Sequence, residues 1–293
     1  MSFKHTRLDR FILFINYVLL ALAVFIVVVP LLYVAVASFM EPTALLNKGF
    51  SLSLSDYSIE GYKLILSNDA MLRGFLNALF YSAAFAILTV ALSVFAGFPL
   101  SVEGFVGSKF FMTVLIITMF FGGGLIPTFL VVKQLGMLDT VWAVILPGAV
   151  SVWNVILART FFKGVPKELS EAAKVDGASE ARIFFDIIIP LSKPIMFVLA
   201  LYAFVGQWNS FFDAMIYLEN QKLYPLQLVL RSILIQNQIS PEMIADRAQA
   251  AELKRLSEII KYASIVISSL PLLVMYPFFQ KYFEKGVLVG SLK

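Results

Sequence analysis

The chain has 293 residues, 60% of them hydrophobic and 14% charged, with a formal charge of +4, no cysteine and the single histidine His5. A soluble domain carries about a quarter charged residues, so this composition excludes a water-facing globule and predicts an all-α integral membrane protein. It also excludes disulfides, thiolate metal sites and Cys- or His-based catalysis, and the positive balance is the basic excess of a membrane protein's cytoplasmic side rather than a nucleic-acid surface.

The chain opens with Lys4, Arg7 and Arg10 ahead of an apolar run from Phe11 to Phe39. A secretory signal has an apolar core of about 7–15 residues, so this longer run is expected to stay as a first span. Six spans are predicted, at about 12–39, 74–98, 110–132, 141–162, 192–212 and 261–280, each near the ~20 residues that cross a bilayer. Residues 1–293 are read as one transmembrane domain. Six spans put both termini on one side. Lys and Arg residues in the N-terminal tail, in 159–193 (Arg159, Lys163, Lys167, Lys174, Arg182, Lys193) and in the C-terminal tail (Lys281, Lys285, Lys293) predict that this side is cytoplasmic.

Helix breakers interrupt several spans: Gly122-Gly123-Gly124 and Pro127 in the third, Pro147-Gly148 in the fourth, Pro271 and Pro277 in the sixth. Small residues there allow close helix packing, and freed backbone can equally line a cavity. No Asp, Glu, Lys, Arg or His falls in the centre of any predicted span. Ions and protons are usually moved by such groups, so the energy source is expected outside this chain. The acids Asp139, Asp213 and Glu219 are read as isolated, which leaves no catalytic cluster for a membrane enzyme. Of the outer loops, 40–73 and 213–260 are long and 133–140 is short. Pro225–Leu234 is expected to be an apolar helix and Pro241–Ile260 a charged one that runs into the sixth span, as solvated surface or as a docking face.

Between the fourth and fifth spans, residues 163–191 read differently. Pro166 suits the first turn of a helix that runs to about Val175, Gly177 allows a sharp turn, and Ser179 can cap a second helix. That second helix is expected to bury Ala181, Phe184, Phe185, Ile188 and Ile189 on one stripe and to end at Pro190. In the first helix, Ala172 and Ala173 form a smooth patch beside Glu168, Glu171 and Lys174, suited to close approach by another protein or to a seat on the membrane surface.

The order Glu171-Ala172-Ala173, Asp176-Gly177-Ala178, then Phe184, Ile187, Pro190-Leu191 and Pro194 resembles the EAA loop of ABC importer permeases. The resemblance extends to maltose-type carbohydrate permeases, specifically to the shorter partner of the heterodimer, through Gly123 to Pro127, Leu146-Pro147-Gly148, Tyr224 to Gln227 and the tail Lys285 to Gly290. It implies a cytoplasmic coupling loop in which Glu171, Ala172, Ala173, Asp176, Gly177 and Ala178 meet an ATPase subunit, and a tail whose Gly286, Leu288 and Gly290 reach between the ATPases. The implied partners are a second permease subunit, two ATPase subunits that bind ATP and Mg, an extracytoplasmic solute-binding protein, and membrane lipid. The chain itself would hold no cofactor or metal and catalyse nothing.

The implied cargo is an oligosaccharide, with alginate or pectin fragments as the narrower expectation, moved across a bacterial inner membrane by alternating access. The alternatives are an ABC importer for another solute and an ion-coupled secondary transporter. Trp153-Asn154 and Gln207-Trp208-Asn209 pair aromatic faces with amides, as sugar sites do, and are expected either to line the substrate pathway or to join helices.

Overall fold

The computed structural model describes residues 6–49, 53–236 and 247–291. These are almost wholly helical: α1 (Arg7–Ala37), α2 (Pro42–Lys48), α3 (Glu60–Ser67), α4 (Asp69–Ser101), α5 (Ser108–Phe120), α6 (Leu125–Gln134), α7 (Trp142–Ile145), α8 (Val152–Lys163), α9 (Lys167–Val175), α10 (Glu180–Arg182), α11 (Ile189–Leu191), α12 (Lys193–Trp208), α13 (Phe212–Tyr217), α14 (Leu226–Gln236) and α15 (Arg247–Ser291). Short 3₁₀ turns occupy Leu54–Asp56 and Gln221–Leu223, and a π-helical turn occupies Ile183–Ile188. The chain divides into two units, 1–68 with 233–270 and 69–232 with 271–293.

In the first unit, α1 begins with a capping box: Thr6 Oγ1 accepts from the Asp9 N–H, and the Asp9 carboxylate accepts from the Thr6 N–H. Beyond that cap the helix is apolar on every side and exposed, with Phe14, Leu20, Phe25 and Leu31 all more than half open. Such a surface suits lipid or another membrane helix, and water would penalise it by roughly 25 cal/mol for each Å² left exposed. Arg255 of α15 bridges Glu41 at the N-cap of α2 (2.8 Å) and Glu60 at the start of α3 (2.7 Å). Gly61 brings α3 against α15, where a Cβ would lie 2.7 Å from Ile259.

In the second unit, α4 is the central helix and packs along α8 and α12. The closest approach to α8 is at Gly97, where a Cβ would lie 2.9 Å from the Ala158 Cβ and 3.1 Å from the Arg159 nitrogen. One apolar cluster joins Val94, Ala158, Phe162, Ile183, Phe184, Ile188 and Leu199. Another joins Tyr81, Val144, Ile145, Ala214, Leu218 and Leu228. Tyr81 and Val94 lie thirteen residues apart on α4, so these clusters stand about 20 Å apart along its axis.

Length and apolarity qualify three helices to cross a membrane alone: α1, α4 and Glu258–Phe278 within α15. The stretch expected as one span at 110–132 is α5 and α6 bent by 112° at the triple glycine, with Gly124 at φ +83° opening α6. The fifth expected span, 192–212, holds α12 and then a break before α13 begins at Phe212; α12 is also bent by 74° against the preceding Glu180–Leu191, which falls in the expected loop. The fourth differs most. Residues 141–162 form the four-residue α7, a non-helical stretch around Pro147-Gly148, and the twelve-residue α8. At about 1.5 Å per residue α8 alone is too short for a bilayer core of about 30 Å. The expected outer helix appears as α14, and the charged stretch enters α15 from Arg247; residues 241–246 of it lie outside the described residues.

Candidate functional site

Helix α9 starts after Pro166, which is its N-cap with φ −56°, and buries none of its residues. Leu169 and Val175 stand 42% and 88% exposed, so the helix presents apolar side chains outward that nothing among the described residues covers. Glu171, Ala172, Asp176 and Gly177 are exposed, while Ala173 and Ala178 rest on the apolar cluster around Phe162 and Phe184. The helix ends in a Schellman motif. The Ala178 N–H donates to the Ala173 carbonyl (2.9 Å) and the Gly177 N–H to the Lys174 carbonyl (3.0 Å). Gly177 holds φ +80°, a conformation that costs other L-residues about 1–2 kcal/mol.

Two ion pairs lie by this turn and beyond it, Lys174–Glu180 at 2.7 Å and Arg182–Asp186 at 3.4 Å, and a third, Lys167 with Glu103 from the loop after α4, holds the other end of α9. The hydrogen bond and charge of Lys167, with a smaller contribution from Lys163, hold the Glu103 carboxyl below the usual carboxylate range. A cavity of about 350 Å³ lies beneath α9, lined by Phe98 and Glu103 on one side and Lys163, Lys167, Glu171 and Lys174 on the other. Two further contacts hold the end of α4. Arg159 Nε and Ser108 Oγ both donate to the Leu100 carbonyl, at 2.8 and 3.0 Å.

Ser179 caps the second helix as expected, with its Oγ accepting from the Arg182 N–H at 3.3 Å. The expected apolar stripe is corrected. Ile183, Phe184 and Ile188 are buried, Ile189 is half-buried, but Ala181 is exposed and Phe185 is 56% exposed. The reason is the π turn, where the Ile189 N–H reaches the Phe184 carbonyl five residues back. The wider turn makes Ile183 and Ile188 neighbours and rotates Phe185 outward. Pro190 brings no N–H and crowds the carbonyl four residues behind it, a strain that a π turn relieves. The helix nonetheless continues to Leu191, and the chain bends at Ser192, whose buried Oγ meets no hydrogen-bond partner among the described residues.

The other singled-out residues fall in different surroundings. Trp208 is buried at the α4–α12 contact, stacked on Phe204 at 6.1 Å and edge-on to Phe75 at 5.5 Å. Gln207 Nε2 donates to the Val144 carbonyl at 3.4 Å, and Asn209 Nδ2 to the Val205 carbonyl at 2.9 Å. Trp153 is 55% exposed and Asn154 is buried. Gly286, Leu288 and Gly290 lie in the last turns of α15.

Asp139, which the sequence shows as a lone acid, has a backbone role. It holds φ +56°, and its Oδ1 accepts from the Glu219 and Asn220 N–H groups at 3.0 and 2.8 Å. Asn77 donates to the Lys222 and Tyr224 carbonyls and Tyr81 to the Leu223 carbonyl, so residues 219–224 are fixed from three sides. Neither this role nor that of Glu103 follows from local spacing, because the partners lie far along the chain.

The chain thus joins several helices apolar enough to cross a membrane with one exposed helix, α9, that is not. The sequence profile of the family described as the binding-protein-dependent transport system inner membrane component matches residues 87–289, and the chain belongs to that family. It is similar to the protein LplC of Bacillus subtilis, with 38% identity over 92% of this chain and 90% of the relative. The polygalacturonan/rhamnogalacturonan transport system permease protein YtcP of the same organism is also 38% identical, over 92% of this chain and 93% of the relative. Among solved structures, a bacterial ABC transporter involved in the import of the acidic polysaccharide alginate contains a chain that matches with a TM-score of 0.83 and 27% identity. The match covers 96% of this chain and all of that one.

Proposed function

We propose that this chain is the permease subunit of an ATP-driven importer that carries an oligosaccharide across the bacterial inner membrane. The observation that carries the reading is α9. In a chain of this family, it is the one helix among the described residues that pairs exposed Glu171, Ala172 and Val175 with a rigid glycine turn. Another protein can approach its backbone there as closely as the small side chain of Ala172 allows. In this reading the 163–191 loop is cytoplasmic, as are both termini, and six membrane segments complete a single transmembrane domain: α1, α4, α5 with α6, α7 with α8, α12, and Glu258–Phe278 of α15. A second permease completes the pathway. Two ATPase subunits bind ATP and Mg, and their closure pulls on Glu171 to Ala178 and on the Gly286–Gly290 tail. A solute-binding protein delivers the sugar to the outer loops.

The relatives carry pectin-type polymers and alginate by their names, which supports an acidic oligosaccharide as cargo. This chain has no cation in the centre of its apolar spans, so the partner permease is assigned the carboxylate contacts. Of the pathway residues, Trp153 and Asn209 are exposed and remain with that role, whereas Trp208 is assigned to the packing of α12 on α4. The test is Glu171→Ala in the assembled complex, supplied with a labelled oligogalacturonate. Uptake and sugar-stimulated ATP hydrolysis are both expected to fall; normal values for both would overturn the coupling role.

A further inference from the structure

The covalent route from α9 to the membrane helices runs through the turn at Gly177, the π turn at Ile183–Ile188 and the 74° bend at Ser192 before it reaches α12. Each of these is a departure from regular helix, where hydrogen bonding is weakest and bending is easiest. A second route leaves the opposite end of α9. Lys167 is its first residue, where a positive charge opposes the helix dipole. Glu103 supplies the missing negative charge, from a loop whose preceding Leu100 carbonyl is held by Arg159 of α8 and Ser108 of α5. Those bonds tie the end of α4, from which the loop leaves, to α5 and α8, and Gly97 against Ala158 packs α4 closely on α8 just before it.

We infer that Lys167 and Glu103 are positioning residues: their ion pair is a strut that makes α9 and the 102–107 loop move as one body, passing motion to α4 and α5 as well as to α12. The inference rests on α9 being the coupling helix. Exposed ion pairs add little to stability, and both carboxylate and ammonium here are more than half exposed, so the strut's effect lies in where α9 stands rather than in how firmly the chain folds.

The chain has no cysteine, so labels can be placed cleanly. Val106→Cys and Val175→Cys, at positions 92% and 88% exposed, take spin labels in the complex with the partner permease and ATPases. The 106–175 distance is then measured by pulsed electron resonance, nucleotide-free and trapped with MgADP and vanadate. The expected result is one distance in both states, shifted and broadened in Glu103→Lys and in Lys167→Glu, and returned in the double reversal, with the thermal midpoint little changed throughout. A distance that changes on trapping in the unreversed pair, or that neither reversal disturbs, or that the double reversal does not return, overturns the strut. Glu171→Ala run in parallel separates the two readings: if vanadate trapping and hydrolysis stay normal, the coupling role of α9 fails, whatever the 106–175 distance does.

Discussion

Two loops of the same unit are held in opposite ways. Residues 219–224 are fixed by side chains reaching from elements distant in sequence: Asp139, Asn77 and Tyr81 each bond to backbone there. Helix α9 is tethered by charged side chains that stand in water, and by its own glycine turn. Hydrogen bonds to backbone from three different elements fix one geometry in 219–224, whereas α9 is joined by exposed ion pairs to neighbours that can travel with it. The first loop is built to keep its shape, and the second to change its position.

Substitutions test that contrast. The largest effect is expected from Asp139→Ala, which removes two charge-assisted bonds and leaves alanine in a left-handed conformation, a loss of about 3 kcal/mol seen in thermal unfolding of the purified complex. Asp139→Asn should recover part of it, since asparagine tolerates that conformation and keeps an acceptor. Gly97→Ala follows, at about 2 kcal/mol, because its Cβ would meet the Ala158 Cβ and Arg159 backbone rather than a flexible side-chain end. Gly177→Ala meets no atom within 4 Å and bears only the backbone strain, about 1 kcal/mol; coupled transport should suffer more than the melting temperature does.

Lys167→Ala should be the smallest in stability. Its Glu103 partner titrates lower in the folded chain than in the unfolded one. The pair's contribution is therefore complete above the ordinary glutamate value and is lost as pH falls through the lowered folded one. The melting difference between wild type and Lys167→Ala should be present at neutral pH, vanish in acid, and shrink in high salt. A difference that persisted in acid would mean that Lys167 acts through something other than Glu103.

Local order was legible where local chemistry decides it. The helix ending at Val175, the glycine turn and the Ser179 cap all follow from residues within five positions of one another. The membrane class and family were legible from composition and from the Glu171–Pro194 pattern. The buried stripe of the second helix was not, because a 3.6-residue period was applied to a turn that holds more, and Phe185 was assigned to the interior on that count. The fourth segment was read as interrupted at Pro147-Gly148 but still as one span of 141–162, whereas α7 and α8 are separate short helices. Trp208 and Asp139 show a further limit. A buried tryptophan beside amides and a pathway tryptophan have the same spelling, and an acid that caps a loop eighty residues away leaves no mark in its own neighbourhood.

The π turn between Arg182 and Ile189 also bears on how this region tolerates insertions and deletions. One residue is housed there in excess of a regular α-helix. Removing a single residue from Ile183–Ile188 would let the segment close into ordinary turns, and the chain beyond it would keep nearly the same rotational phase, whereas the same deletion in a regular α-helix would turn it by about 100°. A one-residue length difference between relatives at this place would thus be absorbed with the bend toward α12 and every motif on either side intact.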